Sequence, residues 1–335
     1  MRSLYVVERG ATLRRAGGLL QVFVRAEKRA EVVARELERL VLVGNVTLTP
    51  AAMDLVVHHG VDTVFLSHHG RFRARLSHGA SSNVTLRIAQ IRVLTALPPP
   101  VELAAAFVRG KVSAQHELLA RIQRRHGARA ELGHACLSLR AARQRLENCQ
   151  TLDAVRGCEG AAAAAYFRVF GLLLRVDGFC FDGRNRRPPL DPVNALLSLG
   201  YTLLANAIHA AVEVVGLDPY VGVLHAPLAG RPSLVCDLQE EFRVPVVDAV
   251  VLAAINKGVI QPADFEDAGP GEPVVVKKAA MTTFVELFER RVESAVLHPP
   301  LGKRLTYRQV FEAQARLLAR VVLGTAADYE PFQTR

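Results

Sequence analysis

The hydrophobic period of this chain changes once, near Asn83, and that change limits the fold more than any other feature. Before it, short apolar and β-branched runs (SLYVVE, ATLRRA, LLQVFV, RLVLVG) alternate with Gly and charged turns, the pattern of strands. Pro50 opens a helix, PAAMDLVVHHG, which Gly60 closes, and VDTVFLS and FRARLS read as two further strands. After it, VTLRIAQIRVLTA and VELAAAFVRGKVSAQHELLARIQRRHG carry apolar residues at helical spacing, and Ala, Leu and Arg dominate the rest of the chain. The expected architecture is α+β in two domains: a small N-terminal β-rich domain (1–82), a connector (83–100) interrupted by ALPPP, and a larger, mostly α-helical C-terminal domain (101–335). PADFEDAGPGEP (262–273) reads as a surface loop, and the terminal YEPFQTR as a loosely held tail.

With 335 residues, half of them hydrophobic, the chain can build a large core. Its formal charge is +10, and the cations are mostly arginine; Lys28, Lys111, Lys257, Lys277, Lys278 and Lys303 are the lysines. Arginine forks phosphate bidentately, which favours a polyanionic partner, although a compositional arginine bias gives the same count. Five scattered cysteines form no CxxC pair, so neither a disulfide framework nor a structural zinc site is expected, and a reducing, cytoplasmic setting is. No signal-peptide pattern opens the chain, and no membrane span is expected. P-loop, GxGxxG and GxSxG elements are absent, which argues against nucleotide-dependent and α/β-hydrolase chemistry.

Three blocks carry candidate chemistry. The first is HAPLAGRPSLVCDLQE, where His225 precedes Asp237 and Glu240. A helix places the i and i+3 acids on one face, and one nitrogen with clustered oxygens suits a hard divalent cation such as Mg²⁺ or Mn²⁺. That helix is expected to start near Ser233, as its N-cap, and to be broken or kinked at Pro245. Arg243 is placed to offset phosphate charge or to pair with Glu240 or Glu241. The second block is TLDAVRGCEGAAAAAYFRVF, in which Glu159 stands before five alanines of a close-packed helix. A carboxylate there needs a partner, either a metal or an arginine such as Arg156 or Arg168. The third is RNRRPPLDPVNALLSLGYTLL: arginines, then a helix capped by Asp191 with Asn194, Ser198 and Tyr201 on similar faces. Arginines before a helix start make a phosphate landing place, or merely a solvated loop. Arg71, Arg73 and Arg75 alternate along one strand as a candidate phosphate stripe, whereas His58-His59 and His68-His69 are poor bidentate ligands.

The wording and order of CEGAAAAAYF, RRPPLDPVNALLSLGYTLL and GLDPYVGVLHAPLAGRPSLVCDLQEEFRVPVVD, with NVTLRIAQ and FEAQARLLARVVLG on either side, resemble the CRISPR-associated integrase family called CRISPR-associated protein one. The resemblance covers nearly the whole chain. It implies a β-rich N-terminal dimerisation domain, an α-helical catalytic domain, and a divalent metal held by Glu159, His225 and Glu240 with Asp237 in support. It also implies Arg184, Arg187 and Arg243 near DNA, with Asn194, Ser198 and Tyr201 as motif residues. The implied reaction inserts short double-stranded DNA fragments into a CRISPR array by 3′-hydroxyl attack on a phosphodiester. The implied assembly is a homodimer joined by a small CRISPR-associated acquisition partner, in a prokaryotic cytoplasm. Ala226 and Gln239 depart from the family's frequent residues. The alternatives are a free-standing metal-dependent nuclease for branched DNA and a catalytically silent DNA-binding scaffold. A metal site requires the ligand atoms of Glu159, His225 and Glu240 to converge within about 5 Å, given coordination bonds near 2 Å.

Overall fold

The computed structural model describes residues 2–67, 72–76, 83–185, 188–266, 269 and 272–333. His68, His69, Arg71 and Arg187 lie outside the described residues. The chain divides into two compact units, Met1–Ala80 and Ser81–Arg335.

In the first unit, β1 (Arg2–Val6), β2 (Thr12–Ala16), β3 (Leu19–Val24), β4 (Glu27–Val33), β5 (Leu37–Val43), β6 (Thr47–Leu48), α1 (Pro50–His58), β7 (Asp62–Leu66) and β8 (Phe72–Leu76) form two sheets and one helix. One sheet has the order β1-β5-β7-β8, parallel except for the last pair, and the other the order β4-β3-β2-β6. Leu13, Leu20, Leu40, Leu42, Ala52 and Val56 meet in the core, where alternate strand positions point inward. Thr49 caps α1 by accepting from the Ala52 N–H and donating to the Leu13 carbonyl at 2.9 Å, which ties the helix to β2.

Two sequence expectations change here. Strand β4 (EKRAEVV) carries no strand signal in its letters, because it is charged and exposed along most of its length and pairs only with β3. The turn before it holds Arg25 and Ala26 at φ 49° and 68°, a hairpin conformation usually announced by Asn or Gly. The arginine stripe on β8 also differs: Arg75 is 8% exposed and ion-paired to Asp62 at 2.7 Å, so it is not free for phosphate.

The second unit comprises α2 (Val84–Leu94), α3 (Val101–His126), α4 (Ala130–Leu146), α5 (Leu152–Phe170), α6 (Pro192–Val215), α7 (Ser233–Gln239), α8 (Ala249–Asn256), a β9 (Phe265–Glu266) and β10 (Val275–Val276) pair, α9 (Lys278–Val292), the β11 (Ala295–His298) and β12 (Lys303–Thr306) hairpin, and α10 (Tyr307–Val322). Residues 83–100, expected as a connector, contain α2, which packs on α10 within this unit. Helices α3, α4 and α5 pack against one another.

Helix α6 is the centre. Asp191 accepts the Asn194 N–H at 2.8 Å, Pro192 supplies the first helical φ, and Gly216 ends the helix in the left-handed region at φ 93°. Its Leu196, Leu197, Leu203 and Leu204 are buried, each worth about 1.5–3 kcal/mol relative to exposure. By length and composition it is long and apolar enough to cross a membrane, and 67% of that window is buried inside the protein. A Cβ on Gly200 would meet Val247 Cγ1 at 2.5 Å, so only glycine lets the later segment carrying Val247 cross so closely.

That segment changes the expected break or kink at Pro245: α7 already ends at Gln239, and the irregularity at Pro245 is a π turn. Arg243–Asp248 is a π-helix that leads without interruption into α8. The wider turn accommodates a residue without an N–H, and such turns are frequent at functional sites. The terminal segment is also not loose: Tyr329 and Phe332 are 6% and 1% exposed. Nor is the alanine run of α5 close-packed throughout, since Ala162 is buried but Ala161 and Ala164 are exposed.

Candidate active site

Glu159 and Glu240 come together through a residue that the sequence motifs do not announce. Glu159 projects from the middle of α5, which Thr151 caps. Glu240 comes directly after α7 and is buried. Between them lies Lys111 from the middle of α3, itself buried; its ammonium contacts Glu159 Oε1 and stands 2.7 Å from Glu240 Oε2. Arg243 Nε donates to the other Glu240 oxygen at 3.1 Å. Burial opposes ionisation of Glu240, but Arg243 and then Lys111 outweigh it and hold the carboxyl down at about 2. Burial likewise acts against the Lys111 charge; Glu240 and Glu159 reverse that and raise its pKa above the usual lysine value. The partner of Glu159 is therefore neither Arg156 nor Arg168. Arg156 instead donates to the Leu224 carbonyl at 3.1 Å and to Asp153.

His225 is positioned by Asp237. The fully buried carboxylate accepts the backbone N–H groups of Val223, Leu224 and His225 at 2.7, 3.2 and 2.9 Å. Its Oδ1 also lies 2.7 Å from His225 Nδ1. An oxygen that already accepts a backbone N–H accepts here again, so Nδ1 carries the ring proton and Nε2 keeps a lone pair. Burial pushes the Asp237 carboxyl above the ordinary range, and the His225 ring and these N–H groups pull it back. The loop lies directly on α7: a Cβ on Gly222 would stand 2.7 Å from Asp237 Oδ2 and from the Ser233 carbonyl carbon. Gln90 holds the loop from behind, donating to the Asp218 and Val221 carbonyls at 2.8 and 2.9 Å and accepting the Asp218 N–H at 2.7 Å. This gives the NVTLRIAQ block its place. Ser233 is the first helical residue rather than a side-chain cap, and its hydroxyl donates to the Ala226 carbonyl.

These residues line one cavity of about 610 Å³, with Glu159, His225, Glu240, Lys111, Arg184 and Arg243 on its walls and Gly160, Ala163 and Ala164 on one side. Arg184 donates to Asn194 Oδ1 at 2.6 Å and to Ser198 Oγ at 3.0 Å, so both motif residues hold an arginine at the rim. Tyr201 has Arg184 and Arg243 over its ring at 5.4 and 4.6 Å and donates to Asp248 at 2.6 Å. Tyr166 donates to the second Asp248 oxygen at 2.8 Å, and burial lifts that carboxyl to about 6. Gln239 donates to the Tyr201 carbonyl at 2.7 Å.

Two carboxylates and an imidazole with a free Nε2 are the donor set of a hard divalent cation. Glu240 Oε2 is buried with the Lys111 ammonium 2.7 Å away, so a cation already stands beside the oxygen a metal would use. The residues fit such a cation in kind. In arrangement, no three His, Cys, Asp or Glu side chains among the described residues stand close enough to hold one, because the Lys111 ammonium lies between Glu159 and Glu240.

The sequence profile described as CRISPR associated protein Cas1 matches residues 4–290. The chain belongs to the Cas1 family. It is 41% identical over 336 residues, 99% of this chain and 97% of the relative, to CRISPR-associated endonuclease Cas1 3 of Thermus thermophilus. Its fold is similar to that of a casposase bound to integration product, with a TM-score of 0.86 at 22% identity over 98% of this chain and 93% of that one. It is also similar to a chain of a Cas6-RT-Cas1–Cas2 complex, with a TM-score of 0.83 at 23% identity, covering 100% of this chain and 36% of that one. The Cas1 fold is thus a strand-rich N-terminal unit leading into a mostly helical one, and the Glu159 cavity lies within the helical unit.

Proposed function

We propose that the chain is a DNA endonuclease and integrase of CRISPR adaptation. In this reading it joins the 3′-hydroxyl of a short double-stranded fragment to a phosphodiester at the CRISPR repeat. One observation carries the proposal: Glu159 of α5 and Glu240, just beyond α7, meet at one ammonium in a cavity also lined by His225 and three arginines. Support comes from the endonuclease name of the Thermus thermophilus relative and from the fold shared with a casposase bound to integration product.

Glu159, His225 and Glu240 would hold Mg²⁺ or Mn²⁺. Such a cation supplies Lewis-acid polarisation of the scissile phosphate and a lower pKa for the attacking hydroxyl. Asp237 keeps the His225 proton on Nδ1 and so keeps Nε2 available. Lys111 helps keep Glu240 ionised and holds the two acids adjacent before the site is loaded. Arg184 and Arg243, braced by Asn194, Ser198 and Tyr201, offset the charge of the incoming phosphate. One P–O bond forms as another breaks, so no ATP is needed. With water as the nucleophile in the same cavity, the product is a nick instead. The partners in this reading are a second copy of the chain, joined through the first unit, and a small Cas2-type protein. The setting is the prokaryotic cytoplasm.

The test is integration into a supercoiled, repeat-bearing plasmid by Glu159→Ala, His225→Ala and Glu240→Ala variants in Mn²⁺ and in chelator. Loss of strand transfer in all three, with folding retained, is expected. Full activity in folded His225→Ala overturns the site. Hydrolysis products without joined strands support the nuclease for branched DNA, and indifference to chelator supports a silent scaffold.

A further inference from the structure

A second cavity, of about 340 Å³, opens where α3 and α5 end, beside α8. Its walls carry Arg121, Arg125, Arg129, Arg175 and Lys257, and no carboxylate among the described residues lines it. Elsewhere in this unit cations are answered by acids: Arg124 pairs with Glu117, Arg308 with Glu289, and Lys111 with Glu240. Here the described contacts are few. Arg129 donates to the Leu172 carbonyl at 3.4 Å, and Arg175 lies 3.2 Å from His126 Nε2. The five cationic side chains are exposed over a floor that includes buried Leu118 and Leu173, with Leu172 exposed at the edge. Three helices end here, α3 at His126, α5 at Phe170 and α8 at Asn256, and their carbonyls favour nearby cations. That accounts for the cations beside those ends, but not for Arg129, which stands at the N-cap of α4.

The place of this cavity gives it a reading. Lys111 and Gln115 line the first cavity, and Leu118, Ile122 and Arg125 line the second. Their spacing of three and four residues puts all five on one face of α3. Helix α5 repeats the order: Glu159, Ala163 and Phe167 line the first cavity, and Leu172 lies in the second just beyond the helix end. The two cavities are therefore successive stations along one face of the α3–α5 pair. Fourteen residues of α3 separate Lys111 from Arg125, roughly 21 Å of helix. About six nucleotides of a stacked strand span that length, and fewer of a stretched one.

We propose that this basic cavity is a second phosphate-binding site, holding the backbone of the DNA strand whose end lies in the Glu159 cavity. The proposal rests on the DNA reading of the first cavity. Arginine forks take the phosphate oxygens, and the leucine floor takes the apolar faces of sugar and base.

The test is salt-dependent binding of a fluorescent single-stranded oligonucleotide of about twelve nucleotides, twice the span. The full chain is compared with Arg125→Ala/Arg175→Ala/Lys257→Ala, with Arg125→Glu, and with Arg124→Ala on the same helix outside the cavity. Each lost phosphate contact lowers the slope of log K against log salt by about 0.7 for a single strand, so the triple variant loses about 2. Arg124→Ala keeps the slope. Unchanged slope in both the triple variant and the exposed single variant Arg125→Glu overturns the site. Metal-dependent cleavage by the unmodified chain is scored in the same series. Cleavage with an unchanged slope removes the second site and leaves the first reading standing. A lost slope without any cleavage keeps the phosphate site and removes the integrase reading.

Discussion

Glu240 and Glu241 are neighbours in sequence, both buried, and they belong to two regions with opposite chemistry. Glu240 faces the cavity and meets cations, Arg243 and Lys111, and its carboxyl is held at about 2. Glu241 faces the C-terminal segment and meets neutral donors: the Tyr329 hydroxyl, the Phe332 N–H at 2.6 Å and the Gln314 amide at 2.9 Å. Burial dominates there and pushes its carboxyl up to about 7. The difference teaches that a single step along the chain divides a charged site, proposed to take a cation and phosphate, from a structural knot that closes the fold. That division can be broken experimentally from either side.

The knot should dominate stability. Phe332 is 1% exposed, stacks on Phe242 at 5.4 Å and lends its N–H to Glu241. Removing residues 329–333 takes away both aromatic anchors and strands a buried acid, a loss above about 5 kcal/mol; Phe332→Ala alone costs about 3–5 kcal/mol. Urea unfolding measures both. Cleavage per folded molecule stays unchanged in Phe332→Ala if this region is structural only, and a specific loss of cleavage would erase the division.

Next in size is Lys111→Met. Removing one partner of a buried ion pair costs about 3–5 kcal/mol, and here two carboxylates lose the same ammonium. With the ammonium gone, Mn²⁺ should raise the melting temperature of the variant more than that of the unmodified chain. An equal or smaller rise would mean that the acids do not form a cation site.

Asp248 sharpens the comparison because it lies on the cavity side yet has neutral partners, Tyr166 and Tyr201. Burial lifts its pKa from 3.8 to about 6, so the folded state binds its proton more tightly than the unfolded state. The stability from this group is full below about pH 4 and is lost as pH rises through about 6, by about 3 kcal/mol in all. Asn cannot ionise, so unfolding curves of Asp248→Asn at pH 4 and pH 8 should differ less than those of the unmodified chain by about that amount. An identical pH response would mean that partner chemistry does not set the acid's behaviour.

The sequence shows its acids and histidine more plainly than their partners. Asp191, Asn194 and Ser198 are legible from cap chemistry and helical spacing, and the change of period near Asn83 separates the strand-rich from the helical part. Lys111 is harder to see, although a lone lysine within AAAFVRGKVSAQ, in a chain that otherwise takes its cations mostly from arginine, is a usable signal: a buried ammonium requires acids. The segment after Glu240 defeats a reading by letters because Pro245 breaks an α-helix but not the wider π turn that occurs there. The C-terminal segment does so because its polar letters, Glu330, Gln333 and Thr334, hide two aromatic anchors whose pockets are made by residues far away in sequence.

The smallest effect comes from two glycines that see the two regions. An added Cβ on Gly110 of α3 would stand 3.0 Å from Glu241 Cγ and from Pro331 Cβ, atoms already fixed by the knot. Gly110→Ala therefore overpacks and should cost about 1–3 kcal/mol. An added Cβ on Gly160 of α5 meets nothing within 4 Å, because that position faces the cavity. Relief of glycine's backbone entropy makes Gly160→Ala stabilising by about 0.5–1 kcal/mol. Gly157, on the same helix but not in the cavity wall, also meets nothing and gains similarly. Chemical unfolding distinguishes the signs. Integration assays then separate the two α5 variants: Gly157→Ala leaves the rate unchanged, whereas Gly160→Ala, one methyl nearer the phosphate path beside Glu159, lowers it. Equal rates would mean that DNA does not approach that wall, and the open floor of glycine and alanine would then need another occupant.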